Sequence, residues 1–361
     1  MTEDVDSKSS KYMYWAKTQN AQFNLASSGV QFYPIHELGV TIDDIEICGP
    51  SNYGGYEPLH RALAHKCAVD LDCVSAATGT SMANHLAMAA VLNPGDEVLI
   101  EEPTYDPILS VARYLRATIK RFKRTHENRF GIDVEDIKKH LTPQTKLIIL
   151  TDFHNPSGVF GGDITLKKVG TLAKTVGAKV LVDEVYKECL YAESGLPVSA
   201  FHLGNEFIVT NSLTKAYGLN GLRCGWVLAE PELIRKIWRL NDLFGVIPAH
   251  AAERLSVIAL EKLHQVAQRA KTLLDTNRGH LNEFLDRHAD VLDVVRPDYG
   301  TIVFPRLKKG DATTLCNKLK NDFDTLVVPG SFFEMPNHFR IGIGGDTPTL
   351  IEGLTRISRA L

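Results

Sequence analysis

Between Cys73 and Leu228 the chain alternates short apolar runs with segments of helical length. The runs are Cys73 to Ala76, Val98 to Ile100, Ala117 to Phe122, Leu147 to Leu150, Val180 to Val182, Phe207 to Thr210 and Gly225 to Leu228. Among them lie Ser81 to Leu92, Asp106 to Tyr114, Val134 to His140 and Leu166 to Val176, whose lengths and apolar spacing suit helices. Strands separated by helices need crossover connections, and the resulting parallel sheet must be covered on both faces. The pattern predicts a three-layer α/β/α fold around a mostly parallel seven-stranded sheet. Ligands in such sheets sit beyond the carboxyl ends of the strands, so the residues that follow each run are the ones to read for chemistry.

A long helical region from Pro231 to about Phe284, broken near Gly245 to Pro248, leads into a second, smaller α+β part. That part is expected to hold strands near Gly300 to Phe304, Thr325 to Val328 and His338 to Ile343, with helices near Thr313 to Asp322 and Leu350 to Ala360. The expected division is an N-terminal arm and part of the small domain at 1–45, a large domain at 46–248 and a C-terminal small domain at 249–361. Tyr12 to Gly39 reads as ordered but irregular.

With 40 basic and 43 acidic residues the net charge is −3, which gives no case for nucleic-acid or anionic-membrane binding. The basic cluster Lys120, Arg121, Lys123 and Arg124 reads as the solvated face of a strand. No apolar run approaches the ~20 residues of a membrane span. The start, Met-Thr-Glu-Asp-Val-Asp-Ser-Lys, has no signal-peptide pattern, so a soluble cytoplasmic protein is expected. Six cysteines without CxxC pairs or zinc spacing read as free thiols in a reducing compartment, and no metal site is expected.

Several strand ends carry reactive residues. Thr78-Gly79-Thr80-Ser81 opens a helix, where backbone N–H groups form an anion site or simply an N-cap. Tyr105 follows the second run, and the turn Asn155-Pro156-Ser157-Gly158 follows the fourth. Asp183-Glu184-Val185-Tyr186 follows the fifth; a carboxylate there needs a cationic partner. After the sixth comes Ser212-Leu213-Thr214-Lys215-Ala216-Tyr217-Gly218-Leu219-Asn220-Gly221-Leu222-Arg223-Cys224-Gly225-Trp226, in which a hydroxyl, an amine and a guanidinium can converge. Near the C-terminus, Arg340 sits in an alternating strand.

The lysine segment resembles that of the class I and II aminotransferases, the fold-type I pyridoxal phosphate (PLP) enzymes, with Cys224 where an aliphatic residue is usual. The resemblance extends from about Ser51 to Ile343. It implies that Lys215 carries PLP as a Schiff base, a role that requires an unprotonated amine in a desolvated, cation-flanked pocket. By the same resemblance Gly79, Thr80, Ser81, Ser212 and Arg223 hold the cofactor phosphate and Tyr105 lies against the pyridine ring. Asn155 and Tyr186 meet the phenolic oxygen, Asp183 meets the ring nitrogen, and Arg340 grips the substrate carboxylate. Tyr53 is the residue expected to reach a partner subunit's phosphate, with Tyr56 competing for that role. His154 reads as structural. Gly29, Gln31, Phe32 and Glu37, with the segment Phe244 to Arg254, are expected to shape the side-chain pocket, and Glu37 reads as solvated.

The activity this implies is transamination between an amino acid and a 2-oxo acid by a homodimer. A PLP lyase, decarboxylase, cyclase or oxidase is the alternative that shares these residues. A PLP-sensing transcription regulator would need a DNA-binding module, and no helix-turn-helix signal precedes the pattern.

Overall fold

The computed structural model describes residues 9–49, 55–191 and 199–361. All seven expected strands form one sheet: β1 (Val74–Thr78), β2 (Glu97–Glu102), β3 (Thr118–Lys123), β4 (Thr145–Thr151), β5 (Lys179–Asp183), β6 (Phe207–Ser212) and β7 (Cys224–Leu228). Their order across the sheet is β1-β7-β6-β5-β4-β2-β3. Successive side chains of a strand point to opposite faces, and the core divides accordingly. Leu147 and Ile149 pack with Leu86 and Ala87 of the helix Gly79–Val91. Ile148 and Leu150 pack with Leu166, Val169 and Ala173 of the helix Asp163–Val176. The run Leu147 to Leu150 is apolar throughout because both its faces are covered.

One strand departs from parallel order. β7 pairs antiparallel with both β6 and β1. The link from β6 to β7 is 213–223, with only a short 3₁₀ turn at Asn220–Leu222, too little for the crossover that a parallel neighbour needs. Ser212 therefore lies opposite Gly225, and Cys224 lies opposite Thr78, so the start of the Gly79–Val91 helix, Ser212 and Arg223 meet at one sheet end.

In the C-terminal part, Phe339–Gly342 is the middle strand of an antiparallel sheet between Ile302–Val303 and Val328–Pro329. The helices Leu263–Arg287, Ala312–Phe323 and Thr347–Ala360 accompany it. Phe23–Asn24 pairs parallel with Thr325–Leu326, and the chain then runs as a strap between the two sheets. On one side, Gly342 N donates to Leu25 O (2.7 Å) and Gln31 N to Gly344 O (2.6 Å). On the other, Val30 N donates to Lys215 O (2.8 Å) and Tyr33 N to Gly218 O (3.1 Å). The strap lies so close that a Cβ on Gly342 would stand 1.7 Å from Ser27 O.

Three expectations change. Tyr12 to Gly39 is not all irregular: Lys11–Thr18 is a helix, N-capped by the Ser10 hydroxyl, which accepts from Met13 N (3.0 Å). Arg124 is not solvated. Its guanidinium is fully buried, donating to Glu101 (2.8 Å), Thr151 O (3.2 Å) and Phe130 O (2.7 Å), because it emerges beyond the end of β3 and turns under the neighbouring strands. Glu37 is half-exposed and lies 3.5 Å from Arg269 Nε, so it is paired rather than simply solvated. Among the described residues no helix is long and apolar enough to cross a membrane.

Candidate active site

Thr80, Ser81, Tyr105, Asn155, Asp183, Tyr186, Ser212, Lys215 and Arg223 come from five stretches of sequence and line one cavity of about 180 Å³ at the carboxyl ends of the central strands. Tyr53 lies outside the described residues. Tyr56 packs edge-on against His250, 4.8 Å between ring centroids.

At one end of the cavity is a cradle of donors. Thr80 Oγ1 donates to Ser212 Oγ (2.8 Å), and Ser212 Oγ accepts from Thr214 N (3.3 Å). Gly79 adopts φ 73°, and a Cβ there would lie 2.3 Å from Arg223 Nη2, so only glycine lets the guanidinium reach the helix start. Two hydroxyls, a guanidinium and the N-terminus of a 13-residue helix fit a phosphate.

Asp183 sits on the cavity floor at the end of β5. Burial pushes its carboxyl up to about 6, opposed by hydrogen bonds from Asn84 Nδ2 (2.8 Å) and Val185 N (3.1 Å). Asn84 Oδ1 in turn accepts from Thr210 Oγ1 (2.5 Å), which fixes the amide so that its donor faces the carboxylate. Burial lowers Lys215 to about 8, helped by Arg340 and Arg223 and opposed by Asp183. Its amine donates to Ser28 Oγ (3.0 Å). Burial also raises the phenols of Tyr186 and Tyr105, which stay protonated at neutral pH. Tyr105 OH donates to Met13 Sδ (3.3 Å).

The fully buried Arg340 closes the site from the C-terminal sheet. Nη1 donates to Asn155 Oδ1 (2.8 Å), and Nη2 to Tyr12 OH (2.8 Å) and Ala26 O (3.1 Å). Nε is buried without an acceptor among the described residues. Gly29 backs the lysine, its Cβ direction 3.5 Å from Lys215 Cα. His154 is buried outside the cavity, its ring nitrogens 2.7 Å from Ser157 Oγ and 2.9 Å from Pro103 O.

Four residues of this site escaped the sequence reading. Asn84 could have been suspected as an amide amid the apolar residues of a covering helix. Glu188, on the 3₁₀ turn just after Tyr186, accepts from Lys66 Nζ (2.7 Å), Tyr217 OH (2.6 Å) and Asn211 Nδ2 (3.2 Å), tying down both flanks of the lysine segment. Tyr12 and Ser28 gave no local signal, since each reaches the site only through the strap.

The model of the aminotransferase class I and II family matches residues 49–357. The chain belongs to this family. As a class I and II aminotransferase it is a PLP-dependent transferase, and the cradle, the floor carboxylate and the buried amine fit that cofactor. It is 29% identical over 353 residues to capreomycidine synthase of Streptomyces vinaceus, covering 94% of this chain and 90% of the relative. It is 25% identical over 346 residues to an aspartate aminotransferase of Streptomyces avermitilis, covering 88% and 84%. Among solved structures, a PLP-dependent aminotransferase from Streptococcus suis superposes with a TM-score of 0.89 at 24% identity, over 97% of this chain and 96% of the other. The PLP-dependent cyclase OrfR superposes with a TM-score of 0.85 at 24% identity, over 96% and 95%. At these identities the two structures demonstrate a shared fold.

Proposed function

We propose that this aminotransferase holds PLP covalently through Lys215 and moves an amino group from an amino acid to a 2-oxo acid. The observation that carries this reading is the placing of the buried Lys215 amine in a cavity with an anion cradle at one end and Asn155, held by Arg340, on its wall. When bound, PLP supplies an electron sink for the bond-breaking at the substrate α-carbon. Thr80, Ser81, Ser212 and Arg223 hold the phosphate, with Gly79 giving the backbone room to approach. Asp183 would meet the ring nitrogen, Asn155 and Tyr186 the phenolic oxygen, and Tyr105 the ring, since all four line the same cavity. Arg340 takes the substrate carboxylate, exchanging part of its hold on Tyr12 and Ala26 O for a two-pronged contact. Lys215, with its amine free, would serve as the base at the α-carbon; an amine near 8 is partly neutral at neutral pH and still basic enough to take the proton.

The enzyme is proposed to act as a homodimer in the cytoplasm. Exposed Leu243, Phe244, Val246 and Ile247 precede the helix His250–Glu261, whose Arg254 pairs with Glu46 (3.1 Å) beside exposed Ile42 and Ile47, giving an apolar face suited to a second copy. The six free thiols suit a reducing compartment.

A second reading, a cyclase working through the same residues, is favoured by the similarity to capreomycidine synthase. Absorbance spectra of the holoenzyme with a panel of amino acids decide between them. Transamination predicts a change to the amino form of the cofactor that a 2-oxo acid reverses. A cyclase predicts turnover in which the nitrogen stays with the product. Lys215→Ala is expected to abolish turnover and covalent attachment, read by mass spectrometry after borohydride reduction; attachment at another residue would sink the assignment.

A further inference from the structure

We propose that Ser28 is a further positioning residue, whose hydroxyl accepts an N–H of the Lys215 amine and so sets the side from which that amine gives up and takes a proton. This rests on the reading of Lys215 as the base. Ser28 is buried, and its Oγ lies 3.0 Å from Lys215 Nζ. Its place is fixed from several sides. Thr301 Oγ1 donates to Ser28 O (2.7 Å). Two residues on, Val30 N donates to the backbone oxygen of Lys215 itself (2.8 Å). One residue earlier, the Ser27 carbonyl rests on Gly342, where no side chain fits. The hydroxyl is therefore held at a set position relative to the lysine, by a strap that both sheets grip.

A serine hydroxyl has one hydrogen and two lone pairs. Lys215 as an ammonium has three donors and no acceptor, so in its charged form it must present an N–H to Ser28 Oγ. The proton it gives up to become a base then leaves from a side away from the strap, toward the cavity that Lys215 lines. A base whose lone pair is aimed before the substrate arrives does not lose orientational freedom at the moment of proton transfer. Alanine at this position would leave the amine's rotation unspecified.

Two variants, Ser28→Ala and Ser28→Thr, and two readouts test this. The first needs neither cofactor nor substrate: the cofactor-free protein is labelled with acetic anhydride across pH, and acetylation of Lys215 is followed by mass spectrometry against exposed lysines. Ser28→Ala is expected to move the Lys215 midpoint down by roughly half a pH unit or more, because an acceptor for the charged amine is gone. Ser28→Thr keeps the midpoint. The second readout is α-hydrogen exchange of the proteinogenic amino acids in D2O, catalysed by the holoenzyme. Ser28→Ala is expected to slow exchange by about tenfold or more with KM unchanged, and Ser28→Thr to restore it. An alanine variant that matches wild type in midpoint and exchange rate overturns the proposal. So does a threonine variant that restores neither while the alanine effects follow a fall in melting temperature. A midpoint shift in Ser28→Ala, found alongside a wild-type protein that exchanges none of the amino acids, supports the Ser28–Lys215 contact and overturns instead the aminotransferase reading of the site.

Discussion

The floor and the roof of the cavity are built in different ways. The floor comes from contiguous motifs at strand ends: Gly79 to Ser81, Asn155, Asp183 to Tyr186, and Ser212 to Arg223. Each motif is positioned by the strand before it, so the sheet register alone brings them together. The roof has no such frame. Tyr12, Ala26 O, Ser28 and Arg340 come from opposite ends of the chain and meet because the strap is pinned to Gly342 and Gly344 on one side and to Lys215 and Gly218 on the other. The floor is rigid by secondary structure. The roof is rigid only through side-chain and strap contacts, and a single hydrogen bond lost at Arg340 should be felt as substrate affinity rather than as chemistry.

Substitutions can press on that contrast. Asp183→Asn removes the charge of the floor and keeps its shape; kcat is expected to fall by roughly 10- to 1000-fold, the equivalent of ~1 to 3 pKa units of lost pairing, with Asn84 still in place. A change in KM alone would remove Asp183 from the floor. Tyr12→Phe deletes one acceptor of Arg340 while keeping the ring that packs edge-on at 5.8 Å from Tyr105. Here KM is expected to rise by about tenfold, near 1.4 kcal/mol, with kcat little changed; the opposite split would erase the distinction between floor and roof.

The third test uses pH and the cofactor-free protein. Asp183 has a folded pKa of about 6 against 3.8 for the free side chain, so between those values the folded state keeps a proton that the unfolded state has lost. Its contribution to stability therefore shrinks as pH rises through this window. Lys215 has a folded pKa of about 8 against 10.5, so its contribution grows as pH rises from 8 to 10.5. Denaturant midpoints of wild type minus those of Asp183→Asn should slope downward with pH in the acid window. The difference from Lys215→Met should slope upward in the alkaline one. A flat difference in either window would refute the burial cost assigned to that group.

The smallest expected effect is at the clamp behind the lysine. Tyr217→Phe leaves Glu188 with Lys66 and Asn211, so a loss of about 1 kcal/mol in stability and a few-fold loss in kcat are expected by calorimetry and steady-state rates. An unchanged melting temperature would show that Glu188 holds the segment without Tyr217.

Much of the floor could be read before any coordinates, because a strand followed by a turn is a local event and the reactive residues lie within a few positions of it. The antiparallel course of β7 could not be read from its apolar run, which looks the same in either direction; only the shortness of 213–223 sets its sense. Arg124 was misread for a related reason: four basic residues among the five from Lys120 to Arg124 suggest a wet edge, and nothing nearby announces that Glu101, from another strand, waits beneath. Asn84 was half-visible as a polar residue on a covering helix. Tyr12 and Ser28 act across a separation that no local pattern spans, and their partners Arg340 and Thr301 are encoded some three hundred residues away.

The strap also sets an order of events. A ribosome releases residues 25–31 early, yet two of the surfaces that hold them, Gly342 and Gly344, emerge near the end of synthesis. The seven-stranded sheet, complete by Leu228, can assemble before either is available. During that interval the phosphate cradle and Lys215 stand open to solvent, and the last sheet to fold lowers a lid that the early residues 25–31 have been waiting to form.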